Sequence, residues 1–256
     1  MTDGSWSWIF LSAAAFGGGA VNSIAGGGTL LTFPSLLAVL SPVMANATST
    51  MALVPGTLGA LWGYRKELAG SRSHLIRLWP PSLLGGIAGS LLLIRLPEKV
   101  FSGLVPWLLI GASILLLLQR PLTKWLGEHR MANPQPGTLV AVIVFQFMVG
   151  VYGGYFGAGI GILMLSSLAF VGIAGIHQMN AVKTVLGGTI NGVTAIIFIF
   201  AKVIVWKYAL VMALASIAGG YIGARVARKM RAEYVRALVV AIGFGVAIYS
   251  WFHRAG

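Results

Sequence analysis

Long apolar stretches recur along this chain from Trp6 to Phe252, and several of them contain 18 or more residues. A helix of that length and composition crosses the roughly 30 Å hydrocarbon core of a bilayer. Only 9% of the residues are charged, whereas a soluble globular protein carries about a quarter. We therefore predict an all-α integral membrane protein, because helices satisfy their own backbone hydrogen bonds in lipid.

The apolar pattern divides into ten segments. They cover residues 6–25, 29–41, 43–64, 78–96, 100–118, 138–156, 160–173, 177–201, 203–224 and 234–252. Segments 29–41 and 160–173 fall below the usual spanning length, so full crossing and re-entry both remain open for them. Each follows a glycine cluster, with Gly26, Gly27 and Gly28 before the first and Gly157 and Gly159 before the second.

Short, glycine-broken segments at corresponding places in two halves are typical of a transporter binding site. We therefore predict that the backbone of these two clusters lines a cavity. Close helix packing is the alternative role for such glycines, and it is the role that we assign to Gly85, Gly89, Gly219 and Gly223.

The two halves of the chain resemble each other. Gly26, Gly28 and Ser35 match residues 131 positions later, and residues 46–50 match residues 180–184 at an offset of 134. Since each half holds five segments, the second half enters the membrane from the opposite side, which predicts two inverted repeats. The predicted organisation is a membrane repeat over 1–118, a cytoplasmic linker loop over 119–137 and a second repeat over 138–256. Chance similarity among small residues is the alternative.

The placement of basic residues predicts the orientation. Short cytoplasmic loops accumulate Lys and Arg, and most of the 18 basic residues fall on one side if the N-terminus is outside. We therefore predict a periplasmic N-terminus.

Several classes of function are disfavoured by composition. The chain has no cysteine and only four scattered histidines, so we expect no metal and no cofactor. The net charge of +13 does not predict nucleic-acid binding, because apolar segments separate the basic residues. No side-chain set suited to an enzyme is recognisable, so we predict a protein that is not an enzyme.

Lys183 is a basic residue that lies several residues inside the apolar segment 177–201. A charge at such a depth costs about 2.5–3.5 kcal/mol even on the lenient insertion scale, which implies a partner or a water-filled cavity. The five carboxylates fall in the N-terminal tail, in loops or at segment edges. A mobile anion is therefore the predicted partner. The alternative is that Lys183 extends along its aliphatic stem to the nearer interface.

Short hydrogen-bonding side chains surround Lys183 in the repeated motif. Together with Lys183, the predicted substrate-binding residues are Asn46, Thr48, Ser49, Asn180 and Thr184. Two helix N-termini that met at the midplane would add unpaired N–H groups and the positive ends of two helix dipoles. The alternative is that these side chains only cap helices or bond between them.

These motifs resemble the sulfite exporter TauE/SafE family over about residues 10–250. The likeness is carried by Gly26–Gly28 with Pro34 and residues 46–50, and by residues 157–161 with residues 180–184. Membership implies a bacterial inner-membrane carrier of sulfur-containing anions such as sulfite, sulfoacetate, thiosulfate or another organosulfonate. The expected partners are that anion and the lipid bilayer, with the chain a monomer or a homodimer. Because Ser49 matches Lys183, the expected site is asymmetric.

Export by alternating access is the predicted direction and mechanism. A singly charged anion that leaves a cell with a negative interior gains roughly 2.3 kcal/mol per 100 mV. Import would need coupling, for which the apolar segments offer no carboxylate. An anion channel and a coupled importer of thiosulfate or a sulfonate remain the alternatives.

Overall fold

Ten α-helices form the described part of the chain, in one-to-one correspondence with the ten apolar segments. The computed structural model describes residues 5–24, 27–63, 67–68, 70–128, 136–171, 173, 176–226 and 232–252. The helices are α1 (Ser5–Ile24), α2 (Thr29–Leu37), α3 (Pro42–Gly63), α4 (Arg72–Arg95), α5 (Glu98–Glu128), α6 (Pro136–Tyr155), α7 (Ile160–Ala169), α8 (Ile176–Phe200), α9 (Trp206–Val226) and α10 (Ala232–Phe252). The prediction of an all-α fold is confirmed for these residues.

The two short segments are short helices. α2 has 9 residues and α7 has 10, so each rises only about 14–15 Å. Neither reaches across about 30 Å of hydrocarbon. Each begins directly after its glycine cluster, although Gly26 itself lies outside the described residues.

Two helices extend beyond the apolar segments from which they were predicted. α4 begins at Arg72, six residues before segment 78–96, and α5 continues to Glu128, ten residues beyond segment 100–118. The first ten residues of the predicted linker 119–137 are therefore helical. An apolar run ends where the helix leaves the hydrocarbon core, but the helical backbone hydrogen bonds can continue in water. The polar ends of a helix are therefore not predicted from apolar runs.

The closest helix contacts join the first half of the chain to the second. α4 packs on α6 and α1 packs on α9. A Cβ added at Gly89 would collide with the carbonyl oxygen of Val151, and one added at Gly219 would collide with that of Phe16. These backbone contacts require glycine, as predicted for Gly85, Gly89 and Gly219. Gly223 also belongs to α9, but the packing at its position lies outside the described part of the structure.

α3 and α8 lie between these two pairs. α3 packs on α8 and α9, while α8 packs on α4 and α7.

A buried polar bridge joins α4, α6 and α7. Gln146 of α6 donates to Ser82 of α4 and accepts from Ser167 of α7, at 2.9 Å each. The bridge satisfies the Gln146 amide at both ends, so it is structural.

Large apolar side chains cover the outside of the bundle. Phe200 is 82% exposed and Leu214 is 71% exposed, which is costly in water and favourable in lipid. Four helical stretches among the described residues are long and apolar enough to cross a bilayer, namely 72–95, 98–119, 137–155 and 178–200.

Replacing Lys202 by glycine should stabilise the fold by about 0.5–1 kcal/mol. Lys202 lies two residues beyond the end of α8. Its φ is 57°, and it is the one non-glycine residue of the described chain with a positive φ. Its N–H donates to Ile199, and the N–H of Val203 donates to Phe198. This is a Schellman ending, which favours glycine at that position. Thermal unfolding in detergent measures the gain, and Lys202→Ala, which keeps the strained φ, should show none.

Candidate functional site

Lys183 belongs to a polar stripe on one face of α8. Asn180, Lys183, Thr184, Gly187 and Asn191 recur at helical spacing and are all half-buried. Another face of this part of the helix is packed, since Ala181, Val182, Leu186 and Ile190 are 0% exposed. α8 therefore presents an accessible polar face within an otherwise buried segment.

The side chain of Lys183 lies against the backbone of α7 at Gly161. A Cβ built on Gly161 would be 3.3 Å from Cδ of Lys183 and 3.9 Å from its Nζ. Lys183 forms no ion pair and no side-chain hydrogen bond with any other residue that the structure describes. The ammonium group is thus held inside the bundle next to α7 without a protein counter-charge.

The start of α7 offers backbone donors beside this lysine. Gly157 and Gly159 adopt left-handed conformations, with φ of 84° and 80°, and Gly159 directly precedes α7. Among the described residues, no acceptor pairs with the N–H groups of Ile160 and Gly161. Unpaired N–H groups at a helix start carry the positive end of the helix dipole. Lys183 and these donors together form a site suited to an anion.

Asn191 lies near the same break, at the far end of the polar stripe of α8. Its Oδ1 is 3.9 Å from the place where a Cβ on Gly157 would be. Since Asn191 follows Lys183 by eight residues, the two side chains start about 12 Å apart along the helix axis. The polar stripe of α8 therefore runs along the whole α6–α7 break.

The corresponding motif on α3 is buried and is bonded to other elements. Asn46 Nδ2 donates to the carbonyl of Tyr155 at 3.0 Å, and the Thr48 hydroxyl accepts from the N–H of Val205 at 3.1 Å. The Ser49 hydroxyl bonds Thr32 of α2 at 2.6 Å. The three side chains are at most 1% exposed. In this conformation they tie α3 to α6, α9 and α2.

The motif on α8 behaves differently. The Thr184 hydroxyl donates to the carbonyl of Asn180 in its own helix, at 2.7 Å. Asn180 and Thr184 thus remain beside Lys183 on the accessible stripe. Of the six predicted binding residues, the structure brings Asn180, Lys183 and Thr184 together on α8, and Asn46, Thr48 and Ser49 together on α3.

The first glycine break differs from the second in the groups that surround it. Gly27 is left-handed, with φ of 95°, and the N–H of Gly28 donates to Asn22 Oδ1 over a long 3.4 Å. At the offset of 131, Leu30 matches Gly161, and Leu30 is 0% exposed. A buried leucine therefore stands in the first half where Gly161 lies against Lys183 in the second.

Sequence reasoning did not assign Asn191 to the site and did not predict the contact of Gly161 with Lys183. The spacing of Asn180, Lys183, Gly187 and Asn191 is a signal that reveals the stripe once α8 is treated as one helix. The contact of Gly161 with Lys183 has no such signal, because it depends on how α7 packs on α8. Among the described residues no three side chains of His, Cys, Asp or Glu come together.

Comparison with known proteins gives one family. The family model described as Sulfite exporter TauE/SafE matches residues 11–250. A probable membrane transporter protein of Haemophilus influenzae is 30% identical over 243 residues, covering 91% of this chain and 92% of the relative. The probable membrane transporter protein ORF9 of Sinorhizobium sp is 29% identical, with 93% and 90% covered. The probable membrane transporter protein YfcA of Escherichia coli K12 is 27% identical, with 88% and 82% covered. No solved structure matches significantly.

Proposed function

Because the chain belongs to the sulfite exporter TauE/SafE family, we propose that it exports a small sulfur-containing anion across the bacterial inner membrane, with Lys183 as the binding cation. The family and its relatives are membrane transporters and not enzymes. The proposed substrates are sulfite, thiosulfate, sulfoacetate or another organosulfonate.

The observation that carries the proposal is the ammonium of Lys183, which has no counter-charge among the described residues and lies beside the start of α7 at Gly161. A sulfite or sulfonate group presents three oxygens that accept hydrogen bonds. One oxygen fits the ammonium, and the others fit N–H groups such as those of Ile160 and Gly161. Asn180 and Thr184 are the polar neighbours on the same stripe. Asn46, Thr48 and Ser49 contribute from α3 by holding the surrounding helices.

The helix packing supports the proposal of two inverted repeats. If each helix is replaced by its counterpart five places along the chain, the contact of α1 with α9 becomes that of α6 with α4. In the same way the contact of α3 with α9 becomes that of α8 with α4, and the contact of α2 with α10 becomes that of α7 with α5. Such exchange is expected of a pseudo-two-fold axis through the α3–α8 contact.

The driving force proposed for export is the membrane potential. A monovalent anion gains roughly 2.3 kcal/mol per 100 mV on leaving a negative interior. Release requires that Lys183 bind the anion only moderately, and alternating exposure of the α8 stripe to the two sides would complete the cycle. An N-terminus in the periplasm is part of the same proposal.

Thermal unfolding of the purified protein with sulfite, thiosulfate, sulfoacetate and sulfate tests binding. A ligand at 100 times its Kd should stabilise the folded state by about 2.7 kcal/mol. Reconstituted vesicles with an imposed potential then test transport, and we expect flux of the stabilising anion toward the positive side. Absence of both stabilisation and flux for every sulfur anion would contradict the proposal. Currents of thousands of ions per second would indicate a channel instead.

A further inference from the structure

The hydroxyl of Tyr152 makes a bond that the proposed function has not used. Tyr152 lies in the last turn of α6, and its hydroxyl donates to the carbonyl of Ala158 at 2.7 Å. That distance is the usual one for an O–H donor, so the bond is well formed. Ala158 is 0% exposed, which leaves its carbonyl without access to water. The bond therefore fastens the break between α6 and α7 at its centre.

The fastened carbonyl determines where the next N–H points. In a trans peptide the C=O and N–H of one unit point in opposite directions. With the Ala158 carbonyl held toward Tyr152, the N–H of Gly159 points away from that ring. Gly159 lies on one side of this peptide, and glycine adopts positive and negative φ with similar ease. Sterics therefore restrain the peptide only weakly on that side, and the Tyr152 hydroxyl selects one orientation.

The first break is fastened by different groups. At the offset of 131, Val21 stands where Tyr152 stands, and it has no hydroxyl. There the Asn22 side chain accepts from the N–H of Gly28, the residue that matches Gly159. The first break thus has both the N–H of Gly28 and the carbonyl of Gly27 occupied, since that carbonyl accepts from the N–H of Leu30 at 2.9 Å. The second break has the matching carbonyl of Ala158 occupied by Tyr152, and the N–H groups of Gly159 to Gly161 have no acceptor among the described residues. This difference matches the presence of Lys183 in the second repeat only.

We propose that Tyr152 is a positioning residue for anion binding, acting through the Ala158–Gly159 peptide to keep the start of α7 open toward Lys183. The inference rests on the proposed function, because it requires that an anion binds there. Tyr152 itself does not contact the anion. Its contribution is to the orientation of backbone donors, so its removal should weaken binding and leave turnover largely intact.

The test compares Tyr152→Phe with Tyr155→Phe. Both changes remove one phenolic oxygen from α6, but the Tyr155 hydroxyl is buried and has no hydrogen-bond partner among the described residues. With thiosulfate and sulfite as probes, we expect Tyr152→Phe to raise Kd and KM about 3- to 10-fold at nearly unchanged kcat. We expect Tyr155→Phe to behave as the wild type.

Hydrogen exchange of residues 157–162 provides the second measurement. The anion should slow amide exchange there in the wild type and in Tyr155→Phe, and should slow it less in Tyr152→Phe at the same anion concentration. Equal affinity and equal protection in all three proteins would overturn the role of Tyr152 and leave the proposed function standing. Equal losses in both variants would also overturn it, since they would reflect packing of the rings. A wild type that binds neither anion would overturn both proposals.

Discussion

Replacing Lys183 by alanine is expected to weaken anion binding by about 10- to 100-fold and to reduce transport accordingly. A hydrogen bond to a charged group contributes about 1.5–3 kcal/mol, and 1.4 kcal/mol corresponds to a factor of ten. Since no described protein group neutralises the ammonium, the variant loses the positive charge without losing an ion pair. The folded state should therefore be as stable as the wild type or more so, because an unpaired charge in a buried segment is costly.

Two matched variants make this prediction specific. Lys202→Ala removes a positive charge from the exposed end of the same helix, and it should leave affinity and flux unchanged within about twofold. Lys183→Arg keeps the charge but carries a larger head group against Gly161. Its affinity for the anion should therefore lie between those of the wild type and Lys183→Ala. Wild-type flux and affinity in Lys183→Ala would remove the physical basis of the proposed site.

Replacing Gly89 by alanine is expected to destabilise the fold by about 1–3 kcal/mol. A Cβ at this position would overlap the carbonyl oxygen of Val151, and it would also approach the backbone nitrogen of Tyr155 at 2.8 Å. Both neighbours are backbone atoms, so relief requires that α4 and α6 separate. Overpacking of that kind costs about 1–3 kcal/mol, and a valine should cost more than an alanine.

Gly111 provides the control for this change. It lies inside α5, and a Cβ there would meet no atom within 4 Å. Gly111→Ala should therefore stabilise by about 0.5–1 kcal/mol, since alanine loses less backbone entropy than glycine in a helix. Thermal unfolding in detergent gives both values. A Gly89→Ala variant that is as stable as the wild type or more stable would show that the α4–α6 contact does not need glycine.

Prediction from the sequence reached each helix of the described chain but not the ends of all of them. The start of α4 at Arg72 and the end of α5 at Glu128 were missed because the helical backbone continues after the side chains become polar. The glycine breaks were located correctly, since glycine clusters next to short apolar runs are visible in one dimension. The repeat, the orientation and the substrate stay predictions.

The six predicted binding residues illustrate the limit of motif reasoning. Residues 46–50 and 180–184 match in sequence, yet Asn46, Thr48 and Ser49 bond to α6, α9 and α2. Thr184 bonds only within α8 and lies beside Lys183 on the accessible stripe. The partners of Asn46 and Thr48 lie more than 100 residues away in the chain. No local pattern predicts which side chain finds such a partner.

By itself the sequence determined that this protein lies in a lipid bilayer and which stretches of it form helices. The scarcity of charge, the apolar runs and the lysine inside one of them follow from transfer free energies that each segment carries alone. Tertiary structure decided which groups face each other, including Lys183 with Gly161 and Tyr152 with Ala158. The physical reason is that a hydrogen bond or a close contact needs two groups placed within a few tenths of an ångström. Only the packing of all the helices together supplies that placement.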